Sequence, residues 1–575
     1  METASAPRKE GRLLSWCASH LSVLIFAFAS CIYLLTMDRS ASWWDCGEFI
    51  ATGWTLSVGH PPGAPFYQLV THLVMLLSFG NPMLVAPLSN AVSALCGGLT
   101  VALLYMTLRE LNARRLGSLV GALCYLFCDT AWFSAVESEV YSMAMLFCSL
   151  DVYVALCYRR SRNLRLLPLL GLLLGLGVGV HLMTLLALPA VGLIVIASRP
   201  WPRRANILVL SLIFFLLGLT PYAVIPLRAA ANPPINELGK DFASYLRREQ
   251  YEKAPLYPRM WRQRDTAHWD EWNAHRTDLL GNAVYYTTYQ LGYMYGRYLM
   301  YNFLGRANLA YREADGFSLF NFKYSLFILP GLIGLWGLLR HRRRSRLGFW
   351  VVMLMFLFGG LILNLYLNHP CYEPRERDYV YILSFYAFAL WIGIGADELA
   401  TRRPARNILL LMAPLLMAVG NWPDHDRSRC HSVHDIALNH LECCDQDAIL
   451  ITLGDNDTFP LWYLQQVEGR RTDVSVYNVG LTGWSNIMKM LEENDMQRPV
   501  YFSHFFYQRH SRLFADQLRC EGFCWRLLPA ADGQPPAAKR HPVEWHITRG
   551  EYIDPVSRIF LDIWQQNTGR AVPRR

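Results

Sequence analysis

The chain has 575 residues, 53% of them hydrophobic and only 17% charged, a balance that excludes an ordinary soluble protein of this length. Its net charge of +9 does not describe a nucleic-acid-binding face, because the arginines stand in short clusters between apolar blocks and no basic stripe with interleaved aromatics occurs. Fourteen cysteines without a single C-x-x-C pair support neither a zinc site nor a thioredoxin-type motif.

The apolar blocks run about 20 residues, the length that crosses roughly 30 Å of hydrocarbon. Eleven are predicted: 14–36, 84–108, 116–134, 140–158, 166–181, 183–198, 206–227, 322–340, 347–367, 380–398 and 407–422. The first begins after Arg8, Lys9 and Arg12 and continues to Leu35, too long for a cleaved leader, so it reads as an uncleaved anchor. The fifth and sixth are short and part only around His181. Alternate connections carry the arginines: Arg109 with Arg114 and Arg115, Arg159 with Arg160, Arg162 and Arg165, Arg199 with Arg203 and Arg204, the run from Arg340 to Arg346, and Arg402 with Arg403 and Arg406. That alternation puts the N-terminus inside and the intervening loops outside. The outside pieces are the loop 37–83, with an interfacial helix over 64–79, a short connection at Glu137, the polar loop 228–321, and the tail 423–575.

The tail is polar. Ala448 to Leu453, then Leu461, Leu464 and Val467 at helical spacing, then Val474 to Tyr477, predict a strand, a helix and a strand: one βαβ unit of a small α/β domain. Its cysteines, Cys430, Cys443, Cys444, Cys520 and Cys524, are candidates for disulfides in an oxidising compartment, with the pairing left open.

The candidate chemistry lies in the outside pieces. Asp45 and Glu48 follow Trp43 and Trp44, three residues apart and on one face if helical, where a carboxylate can take a proton from a hydroxyl; solvated acids beside interfacial tryptophans are the plain alternative. His60 opens the stiff turn His60-Pro61-Pro62-Gly63, either to cap it or to meet a phosphate. Glu137 and Glu139 sit in a connection too short to leave the membrane surface. Asp151 lies mid-span, where a helix–helix hydrogen bond is expected. Arg375 and Arg377 break the positive-inside trend and need either loop acids or a lipid phosphate as partners; Arg297 and Arg306 add cations in an aromatic setting. In the tail, Asp455 and Asp457 end the first strand, where α/β sheets bind ligands, although turn and helix-cap roles would account for them as well.

Five ordered blocks resemble one family: Trp44-Asp45-Cys46-Gly47-Glu48-Phe49, Gly59-His60-Pro61-Pro62-Gly63, Val136-Glu137-Ser138-Glu139-Val140-Tyr141, Pro374-Arg375-Glu376-Arg377-Asp378-Tyr379, and Gly454-Asp455-Asn456-Asp457-Thr458-Phe459-Pro460. The family comprises bacterial multi-spanning membrane proteins long without a function, related to the eukaryotic protein O-mannosyltransferases that modify receptor IPT domains. The resemblance implies the GT-C architecture: an α-helical polytopic catalytic domain over 1–422, followed here by the extracytoplasmic α/β domain 423–575. It implies a polyprenyl-phosphate sugar donor and a catalytic acid in the first outside loop, at Asp45 with Glu48 assisting.

The expected function is therefore inverting transfer of a sugar, possibly mannose in this family, from a lipid phosphate to a Ser or Thr hydroxyl of an extracytoplasmic protein. Arg375, Arg377, Arg297, Arg306 and His60 would hold the donor phosphate; Glu137, Glu139, Asp455 and Asp457 would face acceptor or sugar. The membrane would be a bacterial inner membrane with a periplasmic site, or an endoplasmic reticulum with a lumenal one. No cofactor is identified beyond the lipid-linked donor, and a divalent metal is left open. Two other classes stay in view, a flippase of lipid-linked glycans and a non-catalytic membrane scaffold; the absence of an internal repeat speaks against the first.

Overall fold

The computed structural model describes residues 20–198, 205–262, 266–304, 328–371, 375–494, 497–514, 517–528 and 553–570. Every predicted apolar block is helical where it is described, but the blocks differ in reach. Five helices are long and apolar enough to cross a membrane: Pro82–Glu110, Val140–Ser161, Asn206–Ala230, Arg346–Leu367 and Asp378–Leu399. The pair Arg115–Leu126 and Asp129–Ala135 passes the same test only when taken together across a 64° bend. Leu21–Thr36, Leu166–Val178 and Leu182–Ile196 are shorter than a full span. The break at His181 has a local cause: its backbone is extended and its Nδ1 accepts the Met183 N–H at 3.1 Å, starting a new turn. By length and composition, five helices, or six with the bent pair, are able to cross a membrane among the described residues, fewer than the eleven blocks predicted.

The helix Ile382–Leu399 is the axis of the bundle, buried on nearly all sides. Small residues let its neighbours approach: a Cβ on Gly395 would strike the carbonyl of Ile333, and one on Gly337 that of Trp391. At one end of this axis, Asp397 accepts from the Arg114 Nε at 2.9 Å and from the Arg344 guanidinium at 2.6 Å. Two of the arginine clusters assigned to one side of the membrane therefore meet on a single carboxylate. Mid-span, Asp151 is fully buried and neither oxygen has a hydrogen-bond partner among the described residues, against the interhelical bond expected.

At the opposite end, past Tyr381, lie the loops and the tail. The tail holds a five-stranded sheet of β1 (Ile449–Thr452), β2 (Ser475–Asn478), β3 (Val500–Ser503), β4 (Leu518–Glu521) and β5 (Cys524–Leu527), in the order β2-β1-β3-β5-β4. β1 pairs in parallel with β2, Ile449 opposite Ser475, across the helix Phe459–Gln466, so the βαβ unit stands as predicted. β3, β5 and β4 add an antiparallel half.

The tail and the first loop share one core. Trp43, Cys46 and Ile50 are buried together with Leu450, Leu461 and Phe560. Trp43 stacks on Phe560, ring centroids 4.9 Å apart, and donates its indole N–H to Ser557 at 2.9 Å. The helices Cys46–Thr55 and Phe459–Gln466 come so close that a Cβ on Gly47 would lie 2.6 Å from the Phe459 carbonyl oxygen. The sheet domain is thereby fixed directly over the acidic motif.

Candidate active site

Asp45 stands at the N-cap of the helix Cys46–Thr55, but its side chain makes no capping bond. The residue before it, Trp44, has a left-handed backbone (φ +61°), an uncommon state for a bulky side chain. Asn456 of the tail secures it by accepting the Trp44 N–H at 2.7 Å. The chain thus turns Asp45 away from its own helix and toward Arg375, whose guanidinium reaches Asp45 Oδ2 at 3.2 Å. Burial alone would raise the Asp45 pKa; Arg375, then His60 and Arg377, outweigh it and hold the carboxyl below its ordinary range. Asp45 is therefore an anion at neutral pH, the state a proton acceptor requires.

Arg375 is committed on every side. Its Nε donates to the Tyr379 hydroxyl at 2.9 Å, Glu139 lies 3.8 Å away, and the guanidinium sits over the rings of Trp44 (5.0 Å) and Tyr379 (4.4 Å). Of the two partners the sequence allowed it, acids of other loops are what it meets. Arg377 donates to the same Tyr379 hydroxyl at 2.6 Å. Arg297 forms a two-pronged pair with Glu376, at 2.9 and 2.7 Å, and so braces the loop that carries Arg375. Arg306 lies outside the described residues.

Glu48 stands in the same wall as Asp45 but is engaged differently. It is buried, one oxygen accepting the His60 backbone N–H at 2.6 Å and the other paired with His60 Nδ1. Burial works against a charged imidazole, but the Glu48 carboxylate outweighs it and lifts the His60 pKa to about 10. The long loop supports this turn, Tyr245 donating its hydroxyl to the Gly59 carbonyl at 2.8 Å. Because the folded-state pKa of His60 lies above the ordinary 6.5, the stability it lends is complete below about pH 6.5 and disappears as pH rises through about 10. Melting curves between pH 7 and 10.5 should show that loss in the wild type and a shallower one in His60→Asn; equal slopes would remove the pair from the stability account.

The remaining sequence candidates divide. Glu137 binds Arg427 at 2.7 Å, and Arg427 also donates to Ser42 at 2.8 Å, a buried knot between the first loop and the tail. Asp38 completes that knot, raised to about 7 by burial against the pull of Arg427. Asp457 is consumed structurally, taking the N–H groups of Leu453 (3.2 Å) and Gly454 (2.7 Å) and the Ser503 hydroxyl. Asp455 is exposed, its carboxyl pushed up to about 6 by the surrounding protein and by Asp45.

A cavity of about 350 Å³ opens where these groups meet, its wall including Asp45, Glu48, His60, Arg375, Arg377 and Tyr379 together with His181, Arg248 and His369. Arg248 and Arg427 were not singled out in the sequence. Arg427 carried the signal that marked Arg375, an arginine at the outer end of an apolar block; Arg248 had none, being one charge among many in a polar loop. Among the described residues, no group of His, Cys, Asp or Glu is arranged to hold a metal ion.

The fold and site define the class: a helical integral membrane protein with an acid–arginine cleft at one end of its bundle, covered by a small α/β domain. The N-terminal domain profile of protein O-mannosyl-transferase TMEM260 matches residues 45–204, and the profile of TMEM260-associated domain 2 matches 433–485. Those two stretches contain the acidic motif and the Asn456 loop that caps it. The mouse protein O-mannosyl-transferase TMEM260 is 24% identical over 483 residues, covering 79% of this chain and 62% of its own length. The Dictyostelium discoideum protein is 25% identical over 264 residues, 42% of this chain and 32% of its own. The chain spans less than two thirds of the length of these relatives. The crystal structure of ArnT from Cupriavidus metallidurans bound to undecaprenyl phosphate aligns over 90% of this chain and 99% of its own at a TM-score of 0.40 and 15% identity, a likeness from which no residue role is drawn.

Proposed function

We propose that the chain is a GT-C-type membrane glycosyltransferase that moves a sugar, mannose by kinship with its relatives, from a polyprenyl phosphate to a Ser or Thr hydroxyl of an extracytoplasmic protein. The observation that carries this reading is an ionised Asp45 held against Arg375 in the wall of a cavity rimmed by further cations. Asp45 takes the acceptor's proton as its oxygen bonds the anomeric carbon; the phosphate leaves with the bonding electrons toward Arg377 and Arg248, and the configuration inverts. Glu48 acts through His60, keeping the turn beside Asp45 charged and fixed. In this topology all eleven apolar blocks cross, the paired arginines at Asp397 face the cytoplasm, and the cleft faces the periplasm or lumen.

Transfer of labelled mannose from a synthetic polyprenyl phosphate mannose to an acceptor peptide tests the reading. Wild-type protein should transfer. Arg377→Lys keeps the charge but loses the planar fork, and its KM for the donor should rise about tenfold. An unchanged donor KM would make Arg377 a brace for Tyr379 rather than a ligand.

A further inference from the structure

A second cavity of about 120 Å³ adjoins Arg375, with Trp44, Phe133, Glu137, Glu139, Arg375 and Asp378 in its wall. The two cavities share Arg375, Tyr379 and Tyr141. The smaller one is acidic, yet its acids are mostly engaged: Glu137 holds Arg427, and Asp378 accepts the Thr130 hydroxyl at 2.6 Å. Glu139 is engaged on one oxygen only, its Oε1 lying 3.8 Å from Arg375. Its side chain is 2% exposed and its Oε2 has no hydrogen-bond partner among the described residues. A buried carboxyl oxygen left unpaired costs free energy unless something completes it.

The lining selects among ligands. A phosphate would meet several carboxylates. A cation would meet Arg375 and Arg427, both of which line the cavity. A neutral polyol suits it: engaged carboxylates keep lone pairs for hydroxyl groups, and the rings of Trp44 and Phe133 offer apolar faces for the C–H side of a sugar.

We propose that the smaller cavity holds the hexose of the donor, recognised through Glu139, while the larger cavity holds the phosphate and the start of the lipid. This rests on the reading of the site as a lipid-phosphate sugar transferase. It places the sugar–phosphate bond beside Arg375, which touches Asp45 at 3.2 Å and Glu139 at 3.8 Å. Burial, and then the Asp45 carboxylate, push Glu139 well above the carboxylate range, so it can give a hydrogen bond as well as accept one.

Binding of two lipids to the full chain in detergent tests this: polyprenyl phosphate mannose and bare polyprenyl phosphate. Glu139→Leu keeps the bulk and removes the polar atoms; it should weaken the mannose-bearing lipid about tenfold and change the bare one less than about twofold. Glu139→Gln, which still donates and accepts, should restore the difference. Phe133→Ala, on the more exposed wall, should lower affinity for the mannose-bearing lipid alone. Equal weakening of both lipids, or no weakening of the mannose-bearing one, overturns the assignment of the cavity. Wild-type protein that binds neither lipid overturns the transferase reading and the assignment with it, a result distinct from the other two.

Discussion

Asp45→Asn should give a protein that inserts, folds and binds the lipid donor, while its transfer rate falls about 10²–10⁴-fold, the usual share of a positioned base. Asn has the shape of Asp and can still accept a bond from Arg375, but it cannot take the acceptor's proton. Asp45 makes no helix-capping bond whose loss would unsettle the fold. Glu48→Gln should lose less, through the His60 turn, because both Glu48 oxygens are committed there. The check is single-turnover transfer of labelled sugar beside a separate donor-binding measurement. Near-normal transfer by Asp45→Asn together with collapse in Glu48→Gln would hand the base role to the Glu48–His60 pair; loss of donor binding in Asp45→Asn would make it a structural partner of Arg375.

Gly47→Ala should be nearly as damaging without touching a charged group. The added methyl would lie 2.6 Å from the Phe459 carbonyl oxygen, 2.8 Å from its carbon and 3.0 Å from the Pro460 nitrogen. All three are backbone atoms that cannot swing aside, so the two helices must separate. Overpacking of this kind costs about 1–3 kcal/mol, and a shift of about 1 Å at a catalytic group costs on the order of 100-fold in rate. We expect transfer to fall by about that factor, with a lower melting temperature and easier proteolysis of the tail. A fully active Gly47→Ala would mean that the sheet domain does not hold Asp45 in place.

Much of the outline was legible because it is written locally. The βαβ unit followed from an apolar strand, helical spacing at Leu461 and Leu464, and a second strand, and these are properties of neighbours in sequence. The turn role of Asp457 was readable in the same way. The break at His181 was visible as a weak joint between two short apolar blocks. What could not be read is pairing across distance. Glu48 and His60 each stood out, but that they consume one another depends on how the proline turn folds back. Glu137 and Glu139, two residues apart, point to different partners, Arg427 and Arg375. The bend between Leu126 and Asp129 left an unremarkable apolar block in the sequence, since a helix can change direction without changing composition.

The bond between Trp44 and Asn456 joins residues 412 positions apart. At the roughly 5–20 residues per second of protein synthesis, the acidic loop is made roughly 20–80 seconds before the segment that completes it. During that interval Trp43, Cys46 and Ile50 lack the partners that later bury them. The growing chain therefore has no finished cleft until its last quarter has closed over its first loop.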